Sequence, residues 1–429
     1  MRRILILGAG KSSIALIDYL VEKSREQQWE VTVADVTEEN ALQKTKGREN
    51  TKAIGVDLTN VDERIALLQS ADILVSMLPA MLHYGVAKDC LALKKNLVTP
   101  SYISDAMREM HADVERTGLV FMNEMGLDPG IDHMSAMQIL DHLKASNKTI
   151  TGFKSHCGGL VAPESDDNPW HYKFTWNPRN VVLAGQGEGG IHYLNNGAKV
   201  DLKYEDLFAS AANLLVEGQQ VFETYPNRDS LKYVAEYGLQ DVQTMYRGTL
   251  RVAPYCRGWN CLVKLGLTRE VDSPIAAVWR SEADMLHFLG IAADSVEAQL
   301  LRYLDIPLRI NALEAKSIVP SKFLQNILEE KWVMKPGDKD MVVMVNEIDY
   351  LDAGVPKQLQ SSMVYIGKDA EHTAMAITVG LPVAMVTRMI LNGEIKRRGV
   401  LMPKYPEIYN PLLMELGLYG VVFKEAVRG

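Results

Sequence analysis

Met1–Tyr19 reads MRRILILGAGKSSIALIDY. A short apolar run, Ile4 to Leu7, ends at Gly8-Ala9-Gly10, and a helix-compatible segment with Ile14, Leu16, Ile17 and Leu20 on one side follows. Strand, glycine turn and helix in that order form the entrance of a dinucleotide-binding fold. Gly8 permits the tight turn, and Gly10 leaves room for a pyrophosphate beside the backbone. The free N–H groups that open the helix then face the phosphate charge. The third small position is Ser13 rather than glycine. Lys11-Ser12 imitates the end of a P-loop, but the first glycine of that motif would fall on Leu5.

Outward from this turn the pattern repeats. Glu30 to Ala34 reads as a second strand ending at Asp35, Ala53 to Val56 as a third ending at Asp57-Leu58, and Asp72 to Met77 as a fourth ending at Leu78-Pro79. Asn96 to Thr99 and Leu119 to Met122 read as the fifth and sixth, with helical spacing at Val61 to Leu68 and Tyr84 to Leu93. Strands alternating with helices predict an α/β fold with a Rossmann-type doubly wound parallel sheet, whose ligands lie beyond the carboxyl ends of the strands. Asp35 has two readings: a loop cap, or the acceptor of the adenosine ribose hydroxyls. In the second its charge would repel a 2′-phosphate, and no Arg or Lys stands in Val36-Thr37-Glu38-Glu39 to offset it, so the expectation is NAD, with NADP as the lesser choice.

The totals exclude several classes. A chain of 429 residues predicts two or three domains. The net charge of −8 argues against nucleic acid as the main partner, without forbidding a local basic site. The four cysteines form no CxxC pair and have no matching histidines, so no metal is expected. Sparse cysteines and the lack of a secretory h-region fit a reducing cytoplasm, and no uninterrupted apolar stretch reaches membrane-spanning length.

Beyond the sixth strand, Pro129 after Asp128 reads as a helix start capped by Asp128, a place that also presents a carboxylate to a cofactor. Ile150 to Ser155 reads as a strand and Cys157-Gly158-Gly159-Leu160 as a close turn. Lys173 to Trp176, Val181 to Ala184 and Ala198 to Leu202 look strand-like, Arg257 to Trp332 helical, and Asp340 to Val345 strand again. His372 to Leu391 reads as a helix interrupted at Gly380-Leu381-Pro382. The expected organisation is a dinucleotide domain over 1–124 completed by 393–429, a mixed α/β substrate and dimerisation domain over 125–256 and 338–392, and a helical sub-domain over 257–337.

Arginine is clustered. Tyr225-Pro226-Asn227-Arg228-Asp229-Ser230 holds one in a turn-like setting, and Arg247-Gly248-Thr249-Leu250-Arg251 holds two. Guanidinium groups bind carboxylates through paired hydrogen bonds and suit a substrate with several of them; solvated surface charge is the plainer reading. His133 and His156 are the nearest titratable rings, Cys157 reads as a packed thiol, and Glu164-Ser165-Asp166-Asp167 as a solvated loop or a site for a polyamine.

Thr99-Pro100-Ser101-Tyr102-Ile103-Ser104, Gly126 to His133, Cys157-Gly158-Gly159, Tyr225 to Ser230, Arg247 to Arg251, Asp340 to Met344, Met375 to Pro382 and Arg398 to Leu401 together resemble the glutamate-forming saccharopine dehydrogenase family, in order and over nearly the whole chain. The resemblance implies NAD(P)-dependent oxidation of saccharopine to L-glutamate and 2-aminoadipate 6-semialdehyde, or the reverse, in lysine metabolism. It also implies a substrate domain that often supports a homodimer. Carried over by motif, Ser101, Tyr102, Asp128, Cys157, Thr175, Arg228, Arg247, Thr249 and Arg251 would meet the substrate. Gly8, Ala9, Gly10, Ser12, Ser13, Asp35, Asp57, Leu58, Leu78, Pro79, Ser101, Leu127 and Asp128 would line the cofactor. Asp128 would be the proton acceptor, directly or through a water, with Tyr102 orienting it. His156 stands where the family has tyrosine, a change that could alter the wall of the site. Two other readings are a dehydrogenase of carboxynorspermidine-type polyamine conjugates, which would want acidic walls, and a non-catalytic NAD-binding sensor.

Overall fold

The structure is a computed structural model that describes every residue except 188, 217, 272–280, 313–318 and 429. The chain divides into two compact units, Met1–Ala145 with Gly367–Val422, and Ser146–Ile366 with Phe423–Gly429.

The first unit is built on seven strands: β1 (Arg2–Leu7), β2 (Trp29–Asp35), β3 (Thr51–Gly55), β4 (Ile73–Ser76), β5 (Asn96–Val98), β6 (Val120–Met122) and β15 (Gly399–Leu401). Their order is β15-β6-β5-β4-β1-β2-β3 and every pairing is parallel. This is the doubly wound arrangement expected from the alternation, with the strand order reversing between β1 and β4. Ile4 to Leu7 and Ile73 to Val75 are buried, as both-face coverage requires. All six strands read from the sequence are present within a few residues. β15 was not anticipated.

The helix Ala374–Leu391 belongs to this unit and corrects two expectations. It runs unbroken, with Pro382 inside it, because neighbouring packing outweighs the local breaker signal. By length and composition it is also apolar enough to cross a membrane, but it holds Thr378, Thr387 and Arg388 and is 83% buried inside the fold, as a core helix is. It lies so close to the glycine turn that a Cβ on Gly380 would sit 2.9 Å from the Leu16 nitrogen and 3.0 Å from the Ser12 carbonyl oxygen.

The second unit is a nine-stranded mixed sheet: β7 (Thr149–Val161), β8 (Ile191–Asn195), β9 (Ala198–Leu202), β10 (Ala212–Leu215), β11 (Val221–Pro226), β12 (Thr244–Val252), β13 (Asp340–Asp352), β14 (Val355–Ile366) and β16 (Lys424–Arg428). The order is β10-β11-β12-β7-β13-β14-β16, with the β8–β9 hairpin attached to β12. Cys157-Gly158-Gly159 is not a turn but the middle of β7. A Cβ on Gly158 would lie 2.7 Å from the Leu250 carbonyl oxygen, so glycine here serves close strand approach. Lys173 to Trp176 forms no strand, and Pro178–Val182 is a short helix that starts at proline.

The helices of the expected sub-domain are present at Tyr255–Lys264, Glu282–Leu289, Val296–Tyr303, Ile306–Asn311 and Pro320–Lys331; 272–280 and 313–318 of that range lie outside the described residues. They do not form a core of their own. Trp259, Leu301, Leu324 and Trp332 share one cluster with Trp170, Tyr172, Phe174 and Tyr225. The domain boundaries shift accordingly. Residues 125–145 and 367–392 fall in the unit of the parallel sheet; of the expected completing segment, 393–422 belongs to that unit and adds β15, while the last residues pass to the second unit, where β16 pairs with β14.

Candidate active site

In the first unit the glycine turn closes as its sequence requires. Gly8 takes φ +102°, with a Cβ position only 3.0 Å from the Met77 carbonyl oxygen, while a Cβ on Gly10 would meet nothing within 4 Å. That open space above the turn is what a pyrophosphate needs. The Ser13 hydroxyl donates to the Gly10 carbonyl at 2.8 Å, spending the third small position on the turn itself. The Asp35 carboxylate accepts from the Ala9 N–H at 2.6 Å and from Asn40 Nδ2 and the Val36 N–H, both at 2.9 Å. It therefore ties the end of β2 to the glycine turn. Asp57 closes a local turn by accepting from the Thr59 N–H and hydroxyl, which hold its carboxyl below the usual range, and Leu58 is part of the core. Leu78 is half-buried, Pro79 exposed and Leu127 buried.

Beyond β5 and β6 two loops meet. The Tyr102 hydroxyl donates to Asp128 Oδ1 at 2.8 Å, so the structure joins two residues chosen separately from sequence. Asp128 is not the helix cap expected. A cis bond links it to Pro129, the helix Ile131–Ala145 begins later, and the carboxylate of Asp132 accepts the Gly130 N–H. Beneath the loops, Glu124 (φ +55°) accepts the Ile103 N–H at 2.9 Å through one oxygen and meets His133 Nε2 at 2.7 Å through the other. The Glu124 and His133 side chains are 2% and 0% exposed. His133 thus belongs to the frame beneath the site. Ser101 Oγ lies 2.7 Å from Nε2 of His83, a residue the sequence had not singled out.

In the second unit, Arg247, Thr249 and Arg251 alternate along β12 and so share one face. Tyr225 and Cys157 lie beside Thr249 on the neighbouring strands β11 and β7. Arg247 sits over the Tyr233 ring at 4.4 Å. Arg251 is 3% exposed, with its guanidinium 5.0 Å from the Tyr172 ring, 5.1 Å from Tyr255 and 5.8 Å from Tyr225. Among the described residues no carboxylate lies within ion-pair distance of it. Its neighbour across β11, Glu223, instead accepts the Cys256 N–H. Arg251 Nε, the Tyr172 and Tyr225 hydroxyls and Thr175 Oγ1 are buried without a hydrogen-bond partner. Burial pushes the Tyr225 hydroxyl up to about 12, which keeps it a neutral donor. Arg228 is exposed on the turn after β11 at φ +54°, a turn tied to β12 where the Asn227 N–H donates to the Arg247 carbonyl at 2.7 Å.

His156 points to the opposite side of the sheet from Cys157, since it pairs with Gly248 where Cys157 pairs with Thr249. Its Nδ1 is 2.9 Å from Thr224 Oγ1 and its Nε2 3.8 Å from Glu347, and burial pulls its pKa down. It does not line the arginine face. Among the described residues no cluster of His, Cys, Asp and Glu suited to a metal ion is present.

A family model described as the saccharopine dehydrogenase NADP binding domain matches residues 4–122, and one described as the saccharopine dehydrogenase C-terminal domain matches 126–421. The chain belongs to the saccharopine dehydrogenase family. The family resemblance seen in the motifs is thereby established. The yeast Saccharomyces cerevisiae protein named saccharopine dehydrogenase [NADP(+), L-glutamate-forming] is 34% identical, over 99% of both chains. The rat protein named alpha-aminoadipic semialdehyde synthase, mitochondrial, is also 34% identical over 98% of this chain, which spans only 47% of that protein's length. The chain thus covers about half of the synthases it matches. A solved structure of apo saccharopine dehydrogenase (L-Glu forming) from yeast superposes with a TM-score of 0.86 at 32% identity, covering 100% of each chain. The fold is therefore that of the saccharopine dehydrogenases. The comparisons support a nicotinamide dinucleotide as cofactor; they lend no support to a preference for NAD, since both the matched model and the yeast relative are named for NADP.

The residues missed by sequence reasoning are His83, Glu124 and the tyrosines 172, 225 and 255 around Arg251. His83 sits one helical turn into Ala80–Ala92 on an otherwise apolar side, where a lone histidine carries no signal. The tyrosines are tens of residues apart, and only the fold of the sheet gathers them.

Proposed function

We propose that this chain catalyses the NAD(P)-dependent oxidation of saccharopine to L-glutamate and 2-aminoadipate 6-semialdehyde, or the reverse reductive condensation. The observation that carries the substrate class is Arg251, a buried cation with an unpartnered Nε and, among the described residues, no carboxylate at ion-pair distance, its cross-strand neighbour Glu223 accepting the Cys256 N–H instead. A charge taken out of water needs a counter-charge, and a carboxylate of the substrate supplies it. Arg247 and Thr249 on the same face, and Arg228 on its turn, extend this to a substrate with several carboxylates. The same face argues against a polyamine conjugate, which would want acidic walls.

The first unit fits the dinucleotide through the open space at Gly10 and the N–H groups that begin the turn after it. A bound nicotinamide supplies the hydride acceptor. In the substrate a C–H bond next to the secondary amine breaks, a C=N bond forms, and the nitrogen loses its proton. Water then adds to the C=N carbon, and the C–N bond breaks to release the aldehyde and the amino group of glutamate. We assign the proton acceptor for the amine or the attacking water to Asp128. Tyr102 holds Asp128 Oδ1 in one orientation. A homodimer belongs to the same reading and would show a solution mass of twice 47.8 kDa.

The finer cofactor choice rests on Asp35. A carboxylate at the end of β2 disfavours a 2′-phosphate, so we propose that NAD is used at least as well as NADP, against the relatives' names. Asp35→Ala should move the ratio of kcat/KM values towards NADP. A wild-type enzyme that prefers NADP overturns this reading of Asp35. The activity itself is tested by the appearance of reduced cofactor with saccharopine and with a panel of related amine conjugates. Dinucleotide binding without turnover of saccharopine under either cofactor sinks the proposal.

A further inference from the structure

His83 stands under the carboxyl ends of β4 and β5, 4% exposed. Its Nδ1 is 2.8 Å from Ser76 Oγ at the end of β4, and its Nε2 is 2.7 Å from Ser101 Oγ just beyond β5. Thr99 Oγ1 lies 3.2 Å from the same Nε2 and accepts the Ser101 N–H at 3.3 Å. Burial pulls the imidazole down to about 4, so the ring is neutral near pH 7 and has one donor and one acceptor nitrogen.

The proton can be placed from its neighbours. Ser76 is 0% exposed and Nδ1 is its one hydrogen-bond partner among the described residues. If Nδ1 carried the proton, the Ser76 hydroxyl hydrogen would be buried with no acceptor, at the cost of an unmade hydrogen bond. Thr99 Oγ1, also buried, lies farther off, 3.2 Å from Nε2 and 3.5 Å from Nδ1, so the shorter Ser76 bond assigns Nδ1 as the acceptor and Nε2 as the donor. Ser101 Oγ then receives a hydrogen bond from His83, and its own O–H has to be given elsewhere.

We infer that His83 is a positioning residue that fixes the Ser101 hydroxyl as a donor to an acceptor oxygen of the bound dinucleotide. The inference rests on the reading of the first unit as a dinucleotide site, in which β4 and β5 lie to one side of the β1/β4 reversal and ligands lie beyond the carboxyl ends of the strands, where half-buried Ser101 follows β5. It assigns a function to a helix residue that the motifs pass over.

The test reads dinucleotide binding, which does not depend on saccharopine turnover. The Kd of NADH and NADPH is measured by cofactor fluorescence for wild type, His83→Leu, His83→Gln, Ser101→Ala and the double variant His83→Leu/Ser101→Ala, with melting curves to confirm folding. Loss of one hydrogen bond predicts a Kd raised roughly threefold to tenfold in His83→Leu and in Ser101→Ala. The double variant should be no weaker than either single variant, because both remove the same bond. His83→Gln, which can still donate to Ser101, should recover most of the loss. Additive effects in the double variant, or equal losses for Leu and Gln, overturn the proposal. Should His83→Leu fail to fold, the nitrogen shifts of labelled wild-type His83 decide it: a proton on Nε2 supports the assignment, and one on Nδ1 overturns it. A chain that binds dinucleotide with this coupling but leaves saccharopine untouched refutes the proposed reaction and keeps His83 in its role.

Discussion

Arg251 shows how function and stability can be set against each other in one side chain. The tyrosine faces and the Leu250 carbonyl, which accepts from Nη1 at 2.8 Å, compensate its burial only in part. Replacing it with an apolar group of similar length should therefore leave stability unchanged or improved, as for other buried charges exchanged for hydrocarbon. We expect Arg251→Met to keep or raise the melting temperature while kcat/KM for saccharopine falls at least tenfold. Arg251→Lys should lose nearly as much activity, since a point charge cannot replace a planar fork. A variant that melts several degrees lower with unchanged kinetics would make Arg251 a structural residue. Part of this was legible: the spacing of Arg247, Thr249 and Arg251 is the period of a strand and puts all three on one face. The cage was not, because Tyr172, Tyr225 and Tyr255 carry no common motif.

Buried histidines give the residue scale a pH signature. His83 is pulled from an ordinary 6.5 to about 4, and His156 is also lowered, both by burial. A histidine whose folded pKa lies below its unfolded value contributes stability above the unfolded pKa. That contribution is lost as pH falls, for His83 across the window from 6.5 to about 4. Its slope is at most about 1.4 kcal/mol per pH unit. Denaturant midpoints measured from pH 7 to 4 should fall more steeply in wild type than in His83→Gln. Parallel curves would show that His83 is not buried neutral.

Among the elements, the helix Ala374–Leu391 has the span its sequence indicates but not the break, and it packs directly on the glycine turn. Gly380-Leu381-Pro382 reads locally as a break. In the fold, glycine at 380 lets the helix touch the backbone of residues 12–16. We expect Gly380→Ala to cost roughly 1–3 kcal/mol, as for other overpacked sites. It should also weaken dinucleotide binding, because the shifted backbone is that of the turn itself. Binding and stability equal to wild type would show that the contact yields freely. The strand β7 teaches a related lesson. Cys157-Gly158-Gly159 has turn composition, yet the demand for close approach to Leu250 outweighs it. Local propensity was a sound guide where strands alternate with helices, in the first third of the chain. It failed where glycine serves packing between elements.

At the scale of the whole molecule the first unit was readable because each strand ends in a recognisable turn and the βα repeat allows few topologies. The division into units was not, because the chain leaves the first unit after Ala145, returns at Gly367 and leaves again after Val422 without a composition change at any crossing. The tail shows the same limit: Lys424–Arg428 is mostly exposed, so no apolar run announces that it pairs with β14.

The unmatched guanidinium of Arg251 also bears on how the protein holds together when a ligand is present. In the free protein the aromatic core of the second unit encloses a guanidinium that no carboxylate of the described residues meets at ion-pair distance, its cross-strand neighbour Glu223 being engaged with the Cys256 N–H. A carboxylate ligand then gives that guanidinium the ion pair it lacks and in that sense finishes the fold. Small dicarboxylates that cannot react, such as glutarate, should therefore raise the melting temperature. A concentration a hundred times Kd corresponds to about 2.7 kcal/mol of added stability. The rise should be lost or much reduced in Arg251→Met, which has no guanidinium at that position to meet the acid. Melting in the presence of simple acids would then rank ligands for this protein without any assay of its chemistry.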